Sequence, residues 1–155
     1  MSSKKKRNKP YRIKSFSGSA KLKKWSWRVA LTFSPVIAIL DQLEQEGTVD
    51  VNAEGDAIFL DPTDGLWHDS FVAIMGMADF YEFHERRSGR ILDVSPLSQL
   101  ANKLKCGTQI LTIDTQAARA CLSRIHAETL EMTVDYIDEL VQDFQIMGEL
   151  QRTIP

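Results

Sequence analysis

A chain of 155 residues, 43% apolar and 26% charged, has room for one self-sufficient core and a tail. Its net charge of −2 conceals a segregation: residues 1–28 carry 11 of the 19 Lys and Arg and no acid, leaving 8 cations against 21 acids, a net −13, in residues 29–155. The apolar run after the basic region, Val29 to Leu40, is interrupted by Pro35, is too short to span a bilayer, and meets no small-x-small cleavage site before Asp41. Neither a membrane span nor a secretory signal is therefore expected, and a cytoplasmic location is.

Residues 1–28 read as a basic arm, and residues 29–155 as a single acidic helical domain. In the arm, Lys4, Lys5, Lys6, Arg7, Lys9, Arg12, Lys14, Lys21, Lys23 and Lys24 are interleaved with Tyr11, Phe16, Trp25 and Trp27. Cations neutralise phosphates while rings stack on bases, so these cations and Tyr11 form a candidate nucleic-acid-binding set. The plainer reading of Trp25 and Trp27 is that they anchor the arm to the body, alternating with Lys24, Ser26 and Arg28 as a short strand would. Lys4-Lys5-Lys6-Arg7 would also serve as a nuclear import signal in a eukaryotic cell.

Ser34-Pro35 predicts a helix start, with Val36, Ile37, Leu40 and Leu43 as its apolar stripe and Gly47 as its stop. Thr48–Asn52 and Ala57–Asp61 predict a small β-hairpin, and Asp61-Pro62-Thr63-Asp64-Gly65 a turn. Leu66 to about Arg87 predicts a long helix at the centre of the core. Its expected face is Trp67, Phe71, Ile74, Met75, Ala78 and Tyr81, and Ser88-Gly89 ends it. Ser95-Pro96 opens another helix, whose stripe of Leu97, Leu100, Ala101, Leu104 and Leu111 carries it to about Thr112. Asp114 or Thr115 caps the next. From there to Met147 no Gly or Pro intervenes, but the two apolar stripes differ in phase, which predicts a break near His126–Glu131. The fold class is mainly α: a helical bundle with a small β-hairpin and a basic N-terminal arm.

The motifs offer little chemistry. Asp50, Asn52, Glu54 and Asp61 imitate a calcium loop with Gly55 at its sixth place, but the flanking helices are missing, and a hairpin turn is the expectation. His68, His84 and His126 do not group; His84, among Glu82, Glu85 and Arg86, reads as a surface histidine beside carboxylates. Asp79, Glu82 and His84 fall on different helix faces. Nucleophile-elbow, phosphate-loop and dinucleotide signatures are absent, so neither enzymatic activity nor a cofactor or metal is expected. Cys106 and Cys121 lack metal-ligand spacing and read as reduced, mostly buried thiols. Arg86, Arg87 and Arg90 sit at a helix C-terminus, where cations complement the dipole; they are also a candidate secondary anion site. Asp135, Asp138 and Asp143, on an acidic final helix, read as a solvated face or as an interface for a basic protein.

The opening Lys5-Lys6-Arg7-Asn8-Lys9-Pro10-Tyr11-Arg12 resembles the start of small uncharacterised accessory proteins from phages and plasmids of Gram-negative bacteria. The body order is similar too: a long helix ending near Arg87-Ser88-Gly89-Arg90, a helix opening at Ser95-Pro96-Leu97, then Ala117 to Ile125. The resemblance implies a setting, a mobile-element protein acting on host or phage nucleoprotein machinery, with no catalytic residues to carry over. The expected function is non-enzymatic binding of nucleic acid or a nucleoprotein complex through the arm, as a counter-defence or regulatory factor. Two alternatives stay open: an inhibitor that docks its acidic C-terminal helices on a host protein, and a homo-oligomer in which the arm of one copy binds the body of another.

Overall fold

The computed structural model describes residues 20–153. Its architecture is a mainly helical bundle with a small antiparallel sheet. A short 3-10 helix, Leu22–Trp25, leads into α1 (Ser26–Glu46). The sheet follows, with strands β1 (Asp50–Val51), β2 (Ala57–Leu60) and β3 (Trp67–Asp69). Four helices complete the chain: α2 (Ser70–Ser88), α3 (Ser95–Lys105), α4 (Thr112–Glu131) and α5 (Val134–Thr153).

Helix α1 begins eight residues before the start predicted at Ser34-Pro35, and Pro35 lies inside it. The reason is local. Proline cannot donate to the carbonyl four residues back, which is that of Leu31, and the Ser34 hydroxyl donates to this carbonyl instead, at 2.9 Å. Val29, Phe33, Val36, Leu40 and Leu43 then form one continuous buried stripe across the proline. The strand expected at Trp25–Trp27 is replaced by helix. Gly47 ends α1 at φ 76°, its N–H donating to the Leu43 carbonyl at 2.9 Å.

The predicted hairpin is present and shorter, pairing Asp50 with Ile58 and Val51 with Ala57. Its turn is held by the Asn52 side-chain oxygen, which accepts the N–H groups of Glu54 and Asp56 at 3.1 and 2.9 Å. A third strand pairs Leu60 with Trp67 and Phe59 with His68, where the sequence predicted the first turn of the long helix. Gly65, at φ 71°, folds the chain back onto β2, and α2 starts only where the Asp69 carboxylate accepts the Val72 N–H at 3.0 Å. Trp67 accordingly lies exposed on the sheet and not on the helix face.

Helix α2 buries Ile74, Ala78, Tyr81 and His84, and α3 buries all of Leu97, Leu100, Ala101 and Leu104. Helix α3 stops at Cys106 and Gly107 (φ 65°) rather than Thr112, which leaves Leu111 outside the stripe and Cys106 exposed; Cys121 is buried as expected. Helix α4 opens where Asp114, in its first turn, accepts the Leu111 N–H and pairs with Lys103, each at 2.8 Å. Arg119 on α4 reaches Asp41 and Glu44 on α1, binding the two helices across their exposed edge. One core cluster joins α1 to α4 with the inner face of the sheet, and Leu140 on α5 is fully buried. The predicted break falls at Met132–Thr133, just beyond its expected span, for a reason visible at the arm.

Candidate nucleic-acid interface

The arm enters the body at the α4–α5 break. A helix interrupted there leaves a carbonyl and an amide without helical partners, and a buried end must find others. The chain's own N-terminal segment supplies them. The Leu22 N–H donates to the Met132 carbonyl at 2.8 Å, and the Val134 N–H donates to the Ala20 carbonyl at 2.9 Å. Lys21 and Thr133 form an antiparallel bridge between them. Sequence periodicity located the break approximately; the partner 110 residues away carries no local signal.

Two of the arm's candidate cations are engaged at this junction. Lys21 Nζ lies 2.6 Å from a Glu131 oxygen and Lys23 Nζ 3.9 Å from the other. The hydrogen bond from Lys21, with the charges of both lysines, holds the Glu131 carboxyl below the usual range. Lys24 and Arg28 are exposed, as is Trp27 at 61%, with the Arg28 guanidinium 5.6 Å from its ring centroid. Trp27 is therefore not the buried anchor that the strand reading required. Lys4, Lys5, Lys6, Arg7, Lys9, Tyr11, Arg12, Lys14 and Phe16 lie outside the described residues.

Arg86, Arg87 and Arg90 do lie at the end of α2, but each has carboxylate partners. Arg86 pairs with Glu82, Arg87 with Asp143 and Glu139 on α5, and Arg90 with Glu128 on α4 at 2.6 Å. An anion would have to displace these groups. The same pairing corrects the expectation for the acidic helix. Asp135 and Asp138 are exposed, whereas Asp143 is half-buried and holds Arg87, so it is part of the α2–α5 contact.

His84 is not a surface residue. It is 2% exposed, with Nδ1 2.6 Å from the Tyr136 hydroxyl and Nε2 3.1 Å from Glu128. Next to it the Tyr81 hydroxyl meets Thr129 Oγ1 at 2.5 Å, and burial pushes the Tyr81 phenol up to about 12. This polar clasp joins α2, α4 and α5, and every named group in it has a partner, which makes it a structural network. Its sequence signal was the continuation of the Ala78, Tyr81 stripe to His84 at helical spacing.

Asp61, Asp64 and His68 gather their ligand atoms within 4.8 Å at the turn before β3. Their oxygens already serve that turn. Asp61 accepts from the Thr63 amide and hydroxyl, and Asp64 from the Leu66 amide, with His68 2.6 Å from its second oxygen. An apolar concavity of about 570 Å³ lies elsewhere, between the start of α1, α2 and α5. Leu22, Val29, Met77, Phe80, Val141 and Phe144 are among its walls. Among the described residues no helix is long and apolar enough to cross a membrane. The chain matches no protein-family model, no curated protein and no solved structure.

Proposed function

We propose that this chain is a non-enzymatic binding protein of a phage or other mobile element, acting in the host cytoplasm, that engages nucleic acid or a nucleoprotein complex through its basic N-terminal arm. One observation carries the reading: 11 cations without a single acid in residues 1–28, set on a body of net −13. Such a segment attracts polyanions and releases their counterions on binding. The exposed Trp27, with Arg28 beside it, adds a ring and a cation at the base of the arm, suited to stacking and phosphate contact. A second reading draws on Asp135 and Asp138, exposed on α5 with no ion pair among the described residues. In it the acidic helix docks on a basic channel of a host protein and excludes the channel's substrate.

The test is binding to short DNA and RNA over a salt series, with and without Met1–Ser19. That deletion removes seven cations and keeps the junction at Ala20–Leu22. If about half of the seven contact phosphate, the log–log salt slope on duplex DNA should lose roughly 3, at about 0.9 per phosphate. Absence of binding to either nucleic acid at low salt would remove the proposal.

A further inference from the structure

We infer that the apolar groove between α1, α2 and α5 is the docking site of the chain's own N-terminal segment, with Phe16 as the side chain that enters it. This rests on the arm being the nucleic-acid-binding element, and it adds that the arm has a second, internal place to bind. Three observations converge.

The first is direction. The bridge between Lys21 and Thr133 is antiparallel, with Ala20 level with Val134. Followed back from Leu22 to Ala20, the chain thus runs in the same direction as Met132 to Val134, the entry into α5, and Leu22, at the junction, already lines the groove. The second is reach. Phe16 lies four residues upstream of Ala20, roughly 13 Å of extended chain at about 3.3 Å per residue. Helix α5 rises about 1.5 Å per residue, so that length is spent near position 143, between the groove residues Val141 and Phe144.

The third is charge. Val141 and Gln145 mark the groove side of α5. At about 100° per residue, Asp138 and Glu149 fall within roughly 80° of Val141 on the solvent side, with Asp135 a little further round. All three are exposed and have no ion-pair partner among the described residues. An apolar floor edged by carboxylates suits a segment in which Phe16 is flanked by Arg12, Lys14, Lys21 and Lys23. The last two of these already pair with Glu131, the acid just before the break. Nucleic acid and α5 then compete for the same cations, and the arm is released from its own body when a stronger polyanion arrives.

The experiment places a photo-crosslinking benzoylphenylalanine at Phe16 of the full chain, irradiated at low salt without nucleic acid. Mass spectrometry should find links within one chain to the Met77–Phe80 stretch of α2 or the Val141–Gln145 stretch of α5. Links only between chains would give the groove to a second copy's arm; links elsewhere, or none, would leave it without this occupant. Each of these results overturns the inference. A second variant, Gly76→Leu, fills the groove. A Cβ at Gly76 meets no atom within 4 Å, and leucine favours the helix, so the fold should be kept. The crosslink yield should drop several-fold in this variant and oligonucleotide affinity should rise several-fold. An unchanged yield in the folded variant also overturns the inference. Crosslinking without any oligonucleotide binding keeps the groove assignment and removes the proposed function; binding without crosslinking does the reverse.

Discussion

Removing residues 1–24 should destabilise the body far more than removing residues 1–19, although the two truncations differ by five residues. The shorter deletion stops before Ala20 and is the reference, so whatever residues 1–19 contribute is missing from both. The longer one deletes two backbone hydrogen bonds at the α4–α5 break, Leu22 to Met132 and Val134 to Ala20. At about 1 kcal/mol each they contribute about 2 kcal/mol. Leu22 is half-buried against the core, and its partial burial adds about 1 kcal/mol. The ion pairs of Lys21 and Lys23 with Glu131 are exposed, and their contribution is too small to enter this sum. A loss of about 3 kcal/mol in a domain of this size lowers the melting temperature by roughly 10 °C. Thermal unfolding followed by circular dichroism reads the difference directly. If the two truncations melt together, the N-terminal segment does not hold the break, and the registry on which the docked arm depends falls with it.

His84→Leu should cost about 1–3 kcal/mol in denaturant unfolding, since the Tyr136 hydroxyl and Glu128 each lose a partner. In a cycle with Tyr136→Phe the two changes should couple, and simple additivity would remove the clasp. The Glu131 carboxyl is lowered from its ordinary 4.5, so the stability it lends the junction is present above that value and lost as pH falls through the lowered one. Hydrogen-exchange protection of the Leu22 and Val134 amides should therefore weaken only in acid, and protection indifferent to pH would count against the pair. Reversing Asp135 and Asp138 to Lys, leaving Asp143 on Arg87, should keep the fold and abolish partner binding if α5 is an inhibitory face. Unchanged binding by the folded double variant eliminates that reading.

Most helices were legible because their stripes are amphipathic and their stops are glycines: Gly47 and Gly89 both end helices where the sequence put them. The errors came where a side chain changes what the backbone needs. Ser34-Pro35 has the pattern of a helix start, yet the Ser34 hydroxyl serves the carbonyl that Pro35 cannot, and the helix continues. Trp67 shares a helical face with Phe71 on a wheel, but Gly65 and the Asp69 cap place it in a strand, and strand pairing is non-local. Leu111 continues the stripe of α3 on a helical wheel, but the turn at Gly107, with its positive φ, ends the helix first. For the candidate site, charge segregation marks a basic N-terminal segment in the sequence. It could not show that Asp143 holds Arg87, or that residues 20–22 complete the junction of two helices at the far end of the chain, because such pairs meet only in the folded molecule.

The staple between Ala20–Leu22 and Met132–Val134 also orders events in time. A ribosome makes the chain from its N-terminus, so the strand half of the staple emerges more than a hundred residues before its counterpart. Until then the break does not exist, and neither can the groove wall that α5 supplies. Helices α1 to α4 can assemble on the nascent chain from the contacts they make among themselves. Throughout that interval Ala20 and Leu22 lack the Val134 and Met132 groups that hold them in the folded chain. Only the arrival of Met132–Val134 gives these backbone groups their partners, so the closing of the staple waits for the start of α5.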